Sequence, residues 1–136
     1  MEGKDFNIDL LLNKDLRINS LYWIKDKNAN RLPFKLNRAQ KHFMDNKGDR
    51  NIILKSRQLG FTTLECIDIL DDCLFNRNFN ALLISYDILS SYDIYDSKVN
   101  FAWENLDPYL KKLYKVDTDT KNTIKFDFGD GTFSQV

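Results

Sequence analysis

The chain has 136 residues, of which 43% are hydrophobic and 29% charged, and its formal net charge at pH 7 is zero. This length suits one domain at most, and the apolar content is too high for a disordered chain. The charge balance excludes a bulk electrostatic attraction to nucleic acid, so any DNA contact needs a local patch or another domain. No run of about eighteen apolar residues predicts a membrane span, and the first residues lack a signal-peptide pattern.

The first quarter of the chain predicts an arm followed by a hairpin. Apolar residues in 5–20 have a spacing that permits a helix packed on the domain. Residues 21–24 and 31–34 flank a polar turn and predict two strands, with Pro33 favouring an edge position. An irregular surface loop is the alternative for this second part. Residues 1–34 are therefore expected to form an N-terminal arm and hairpin.

A short helix is predicted from Asn37 to about Asp45. Asn37 is a favourable N-cap, and Gln40 stands three residues later, which is the spacing of a capping box. Lys47 and Gly48 mark the end of this helix.

Residues 51–63 combine an apolar stretch, a short polar turn and the start of a helix. Residues 51–54 predict a buried strand, and Lys55 and Arg57 place two cations in the turn. This order is typical of a phosphate-binding loop, because the first amides of a helix lack intrahelical partners and point at an incoming anion. The general pattern G-x-x-x-x-G-K-[ST] is met only in part, since Phe61 stands where the lysine belongs. A plain turn with solvent-facing cations and helix-capping threonines is the alternative.

Residues 63–75 predict the clearest helix of the chain, with one apolar and one acidic face. Two cysteines on it lie about 10 Å apart along the axis, too far for a disulfide, and are expected to be free core residues. With a single histidine in the chain, no zinc site is expected. The acidic face, predicted to be solvated, consists of Glu65, Asp68, Asp71 and Asp72.

The remaining elements complete an α/β pattern. Residues 81–86 form an unbroken apolar run that predicts a buried strand, so that 51–86 would be one right-handed parallel βαβ unit. The other expected elements are a helix over 87–106, a helical turn at 109–114, a loop at 116–122 and a hairpin from 123–128 and 132–136.

The loop at 55–63, Lys-Ser-Arg-Gln-Leu-Gly-Phe-Thr-Thr, closely resembles the deviant Walker A of tailed-bacteriophage terminase large subunits, the motors that pump DNA into proheads. In that family the loop often reads R-Q-x-G-[KFY]-[ST], and an early cation can replace the usual lysine. A similar F-x-x-x-x-x-Q segment precedes it, matched here by Phe34 and Gln40, and its glutamine reads the adenine edge. For Gln40 this role and helix capping compete for one carboxamide.

The resemblance implies an α/β fold class, a partial P-loop NTPase fold with an incomplete sheet. Residues 35–136 would be the N-terminal portion of the ATPase domain. The implied cofactors are ATP and magnesium, with the Thr62 hydroxyl facing the metal and either Lys55 or Arg57 supplying the phosphate cation. The implied cofactor-binding residues are Gln40, Lys55, Ser56, Arg57, Gln58, Gly60, Phe61, Thr62 and Thr63.

Other parts of the family's machinery have no match in this sequence. The Walker B acids, the coupling motif and the nuclease carboxylates are not found, so the catalytic residues are unknown. We expect a fragment or truncated product of a phage-encoded terminase large subunit that is inactive alone. In the family, the Walker B strand lies beside the strand that leads into the phosphate loop. Because no match to the Walker B strand is found in this sequence, we also expect one edge of residues 51–54 to be unpaired.

The resemblance places the complete motor in the host cytoplasm during virion assembly. Its implied partners are the remainder of the terminase or the small terminase subunit, and the portal. DNA would be contacted only through the complete motor, with no membrane involved. The alternatives are a fragment of another helicase-type P-loop ATPase and a non-catalytic nucleotide- or partner-binding remnant.

Overall fold

The computed structural model describes residues 8–136, and residues 5–7 of the predicted first helix lie outside them. Where that single helix was expected, the chain forms α1 (Ile8–Leu12) and α2 (Lys14–Ser20). Asn13 interrupts them, because its side chain accepts a hydrogen bond from the Leu16 amide at 3.2 Å and so caps α2.

The predicted hairpin at the end of the arm is confirmed. Strands β1 (Trp23–Lys25) and β2 (Arg31–Pro33) pair antiparallel, with Trp23 opposite Pro33. The turn between them is closed by Asp26, which accepts hydrogen bonds from the amides of Asn28 and Asn30, both at 2.8 Å.

The next two helices are confirmed close to their predicted bounds. Helix α3 (Arg38–Asn46) has the capping box, with reciprocal hydrogen bonds of 2.9 Å between Asn37 and Gln40. Helix α4 (Phe61–Phe75) begins two residues before the predicted Thr63 and is buried on several sides. It lies at the centre of the hydrophobic core, where the arm, the later helices and the second sheet meet.

The predicted helix over 87–106 is found as one continuous helical stretch with a wider middle. It consists of α5 (Ile88–Ile94), a π-helical segment (Tyr95–Asn100) and α6 (Phe101–Glu104). The short α7 (Pro108–Lys111) follows, capped by Asp107. In the part of the chain that the structure describes, no helix has the length and apolar content needed to cross a bilayer.

A three-stranded antiparallel sheet ends the chain, in the order β3 (Lys115–Thr120), β4 (Thr123–Asp127), β5 (Phe133–Gln135). The hairpin of β4 and β5 is confirmed. The prediction of a loop at 116–122 was wrong, because most of these residues form β3. This strand has too few apolar residues to be predicted from its own sequence, and it forms because it pairs with β4.

The predicted parallel βαβ unit is not formed among the described residues. Segments 51–54 and 81–86 belong to neither sheet. Beside the second segment, Asn80 makes an isolated parallel bridge to Gln135, and the Ala81 amide donates to the Gln135 carbonyl at 2.9 Å. The apolar side chains of the two segments alternate, with every second one facing solvent. The exposed fractions are 99% for Ile52 and Leu54, 83% for Leu82, 80% for Ile84 and 92% for Tyr86.

The physical reason is the lack of neighbours. A parallel strand needs hydrogen-bonded partners beside it and cover on both of its faces. Ile53 lines a cleft on each side of its segment, one toward α3 and one toward residues 82–85. Both edges of residues 51–54 are therefore unpaired, whereas the sequence predicted one unpaired edge. The observed architecture is mixed α/β with two small antiparallel sheets, and residues 8–136 do not show a P-loop NTPase sheet.

The prediction that the acidic face of α4 is solvated was wrong. Asp71 is fully buried and Asp68 nearly so. Arg17 donates to Asp71 from Nη2 at 2.8 Å, and the Lys14 ammonium lies 2.8 Å from Asp68 and 2.6 Å from Asp72. These ion pairs anchor the N-terminal arm on α4, so the acids are buried by a segment more than fifty residues away in the chain.

Candidate functional site

The loop that leads into α4 passes through two left-handed backbone conformations. Gln58 has φ +67° and Gly60 has φ +71°. Glycine adopts this region without a steric penalty, whereas a glutamine there is uncommon. The Gln58 side chain accepts a hydrogen bond from Lys27 of the first hairpin at 3.3 Å. The loop thus contacts the hairpin as well as its own helix.

The first turn of α4 has no side-chain cap. Gly60 occupies the N-cap position, and its carbonyl accepts from the Leu64 amide at 3.0 Å. Thr62 and Thr63 lie inside the first turn, so neither is the helix cap that the plain-turn alternative required. Among the described residues, no partner is found for the backbone amides of 61–63. Such amides are donors for an anion.

Two exposed cations precede this turn, and they differ in their position relative to the start of α4. Lys55 and Arg57 each make no ion pair within residues 8–136. Lys55 lines a cleft of about 510 Å³ together with Phe61 and Thr62. Arg57 is not among the residues lining that cleft. The structure therefore brings Lys55, rather than Arg57, to the start of α4.

Phe61 is a core residue at the position where the general pattern has a lysine. Its ring is buried and packs edge-on against Phe43, with the ring centroids 5.7 Å apart and an interplanar angle of 81°. Only its backbone faces the loop. Ser56, Gln58 and Thr62 are exposed and Thr63 is half-buried.

Gln40 holds the loop through its carboxamide. It is 3% exposed, its Oε1 accepts from the Asn37 amide at 2.9 Å, and its Nε2 donates to the Gly60 carbonyl at 2.9 Å. The Asn37 side chain donates to the neighbouring carbonyl of Leu59 at 3.2 Å. The capping role of Gln40 is thus confirmed, and its contact with adenine remains a prediction. Neither contact with the loop was indicated by the sequence pattern.

Glu65 is a residue of this site that sequence reasoning assigned to a solvated face. It lines the same cleft as Lys55 and Thr62, and its Oε1 is buried with no hydrogen-bond partner in the described part of the chain. Burial raises the pKa of its carboxyl group, and the nearby Asp68 carboxylate adds to the rise. Its position three residues after Thr62 on one helix face was the available signal.

Metal ligands are few around the loop. Within residues 8–136, no group of three or more histidine, cysteine, aspartate or glutamate side chains is placed to hold a metal ion. Thr62, Glu65 and Ser85 supply the side-chain oxygens that line the cleft beside Lys55. A magnesium ion at this loop would therefore be held mainly by the phosphates of a ligand, as magnesium commonly is.

The comparison with known proteins identifies no relative. No family model matches the chain, and no curated protein is significantly similar to it. Function has to be inferred from the loop, its contacts and the sequence pattern of residues 55–63.

Proposed function

We propose that the chain binds ATP through residues 55–63, as the nucleotide-binding part of a DNA-packaging motor of the terminase large-subunit type. The observation that carries the proposal is the uncapped first turn of the 15-residue helix α4, entered through a left-handed Gly60 beside the unpaired Lys55. A helix N-terminus with free amides and an adjacent cation attracts an anion through both hydrogen bonds and charge.

Each residue of the loop has a separate role in this proposal. The amides of Gly60, Phe61 and Thr62 cradle a phosphate, and Lys55 balances its charge. The Thr62 hydroxyl faces the magnesium ion that the nucleotide carries. Arg57 is the second cation at the outer side of the loop. Ser56, Gln58 and Thr63 are the remaining polar side chains of the loop and are proposed to contact the nucleotide.

Hydrolysis and DNA movement belong to the complete motor under this proposal. Phosphoryl transfer needs a carboxylate-held metal and a positioned water in addition to the phosphate cradle. The small terminase subunit, the portal and DNA would be partners of that complete motor. The 136-residue chain itself is proposed to bind ATP without turning it over.

Calorimetric titration of the purified chain with ATP and magnesium tests the proposal. The double change Lys55→Ala and Arg57→Ala should abolish binding, because it removes both unpaired cations of the loop. Of the single changes, Lys55→Ala should weaken binding more, since Lys55 shares a cleft with Thr62. Lys121→Ala, which removes an exposed lysine at the β3–β4 turn, is the matched control. Unchanged affinity in the double variant would contradict a phosphate role for this loop.

A partner-binding role without catalysis is the second candidate. The alternating exposed apolar side chains of 52–54 and 82–86 favour it, because large apolar patches on a soluble chain commonly mark interaction sites. Failure to bind ATP, together with stable association through these segments, would favour this reading.

A further inference from the structure

Two side-chain amides from the start of α3 hold consecutive carbonyls of the loop. Gln40 donates to the Gly60 carbonyl at 2.9 Å, and Asn37 donates to the Leu59 carbonyl at 3.2 Å. The Gly60 carbonyl also accepts the first intrahelical bond of α4, from Leu64 at 3.0 Å. This carbonyl therefore accepts one hydrogen bond from α4 itself and one from a side chain of α3.

Peptide planarity links these carbonyls to the amides of the proposed phosphate cradle. A carbonyl and the N–H of the following residue belong to one rigid trans unit and point in opposite directions. Holding the Leu59 carbonyl therefore orients the Gly60 amide, and holding the Gly60 carbonyl orients the Phe61 amide. Asn37 and Gln40 thus set the direction of two donors.

Gln40 packs closely against the loop. A Cβ atom added at Gly60 would lie 2.9 Å from Gln40 Nε2. The carboxamide oxygen is engaged by the Asn37 amide at 2.9 Å, and the side chain is 3% exposed. Each end of the amide makes one hydrogen bond inside the protein, and its second N–H and second lone pair belong to a side chain that is almost fully buried, which disfavours contact with the edge of a base.

We infer that Gln40 and Asn37 are positioning residues of the phosphate loop, and that the loop binds the triphosphate of a nucleotide without reading its base. The inference rests on the proposed nucleotide binding. The expected ligands of the loop are nucleoside triphosphates of any base and inorganic tripolyphosphate. It differs from the role that the resemblance implies for Gln40, which is selective contact with adenine.

The test compares magnesium complexes of ATP, GTP and inorganic tripolyphosphate by calorimetry. The wild-type chain should bind ATP and GTP with affinities within about threefold of each other, because the buried Gln40 carboxamide is already hydrogen-bonded at both ends and does not select a base. Gln40→Leu should weaken all three ligands by one common factor, about three- to tenfold, which is the effect of losing one hydrogen bond. Asn37→Ser, which keeps the helix-capping oxygen but loses the donor to Leu59, should weaken all three in the same way.

Amide hydrogen exchange separates positioning from a general loss of structure. In Gln40→Leu, exchange should speed up at the Leu64 amide, whose hydrogen bond ends on the Gly60 carbonyl, and stay slow in the buried middle of α4, residues 66–74. Asn46→Ala removes another amide from α3, one that bonds only to the His42 carbonyl of the same helix at 2.7 Å. This control should leave all three affinities and the exchange of the loop unchanged.

Three outcomes would overturn the inference. If Gln40→Leu weakens ATP alone and leaves GTP and tripolyphosphate unchanged, Gln40 reads the base. If the wild-type chain prefers ATP over GTP more than tenfold while Lys55→Ala with Arg57→Ala still abolishes binding, the proposed function stands and the inference fails. If the wild-type chain binds none of the three ligands, the proposed nucleotide binding itself fails.

Discussion

Asp71 has a large structural role that the sequence pattern did not predict. It is fully buried, and it accepts hydrogen bonds from Arg17 at 2.8 and 3.0 Å and from the Tyr22 hydroxyl at 2.7 Å. The Arg17 guanidinium also lies 4.1 Å from the centre of the Phe75 ring. Burial and the neighbouring Asp71 carboxylate raise the pKa of Tyr22, so its hydroxyl stays a donor at physiological pH.

Replacing Asp71 by alanine should lower the free energy of unfolding by about 3–5 kcal/mol, because it leaves a buried guanidinium without its partner. Urea denaturation followed by circular dichroism measures the change. Asp45→Ala is the control, since Asp45 is exposed and, within residues 8–136, pairs only with Lys41 on its own helix. Equal shifts of the urea midpoint in the two variants would contradict the importance of the buried network.

Gly60→Ala should destabilise the chain and weaken phosphate binding. The φ of +71° is unfavourable for alanine by about 1–2 kcal/mol, and the new Cβ would meet Gln40 Nε2 at 2.9 Å. Gly48→Ala is a matched control, because no atom lies within 4 Å of a Cβ there and no positive φ is required. Thermal unfolding and ATP titration of both variants check the expectation, and equal behaviour of the two would refute it.

At the scale of elements, segments 51–54 and 81–86 have the composition of strands without the surroundings of strands. Ile53 and Leu83 face the core, and the side chains between and beside them face solvent. This alternation is what a strand in a sheet shows. Neither segment is a strand among the described residues, although both were predicted to be buried strands. What is missing is the pairing along residues 51–54 and 82–86.

The double change Ile52→Thr and Leu54→Thr should leave the free energy of unfolding of the monomer within about 0.5 kcal/mol of wild type, as expected for surface substitutions. Both side chains are 99% exposed, so almost no apolar burial is lost. Leu70→Ala, at a fully buried position of α4, should cost about 2–5 kcal/mol by comparison. Urea denaturation at low protein concentration measures both. A loss above 2 kcal/mol in the threonine variant would mean that residues 52–54 are buried in solution.

At the scale of the whole molecule, burial makes stability sensitive to high pH. Burial raises the pKa of the Cys66 and Cys73 thiols from 9.0 to about 12, and that of the Tyr114 phenol from 10.0 to about 12. The folded chain therefore holds these protons more tightly than the unfolded chain does. The protonated Cys73 thiol also donates to the Gln135 carbonyl at 3.3 Å.

Because the unfolded state releases these protons first, the free energy of unfolding should be insensitive to them below about pH 8 and fall as pH rises from 9 to 12. Urea midpoints at a series of pH values test the sign. The variant Cys66→Ala with Cys73→Ala should show a shallower fall above pH 9, whatever its starting stability. A wild-type midpoint that stays constant up to pH 10.5 would contradict this account.

The molecule also exposes more surface than a folded monomer of its mass. Its accessible area is 9337 Å² for 16.1 kDa, against about 7,400 Å² for a typical monomer of that size. Part of this area is the apolar outer face of 52–54 and 82–86. Open backbone edges and apolar faces of this kind favour association between chains.

The isolated chain should therefore self-associate as its concentration rises. Changing Ile52, Leu54, Leu82 and Ile84 to threonine should shift it toward the monomer. Leu113→Thr, which removes a leucine that is also exposed but lies outside these segments, should not. Size-exclusion chromatography with light scattering checks both. A monodisperse wild-type monomer that melts cooperatively above about 60 °C, beyond most mesophile domains, would contradict the expectation.

The sequence alone determined the elements whose signals are local. The capping box of α3, the apolar periodicity of α4 and the turn between β4 and β5 each lie within a few residues, and each predicted its element correctly. The same locality made residues 55–63 recognisable as a loop into a helix. Short-range hydrogen bonds and side-chain periodicity depend on neighbours that the sequence prints next to each other.

Tertiary structure alone decided the features whose partners are distant in the chain. Asp71 is buried because Arg17, 54 residues away, covers and neutralises it, and Gln40 reaches the Gly60 carbonyl 20 residues on. β3 forms because β4 pairs with it, whereas 51–54 stays single because no described segment does. A strand and a buried charge are both stable only through a partner, and the choice of that partner is made by the packing of the whole chain.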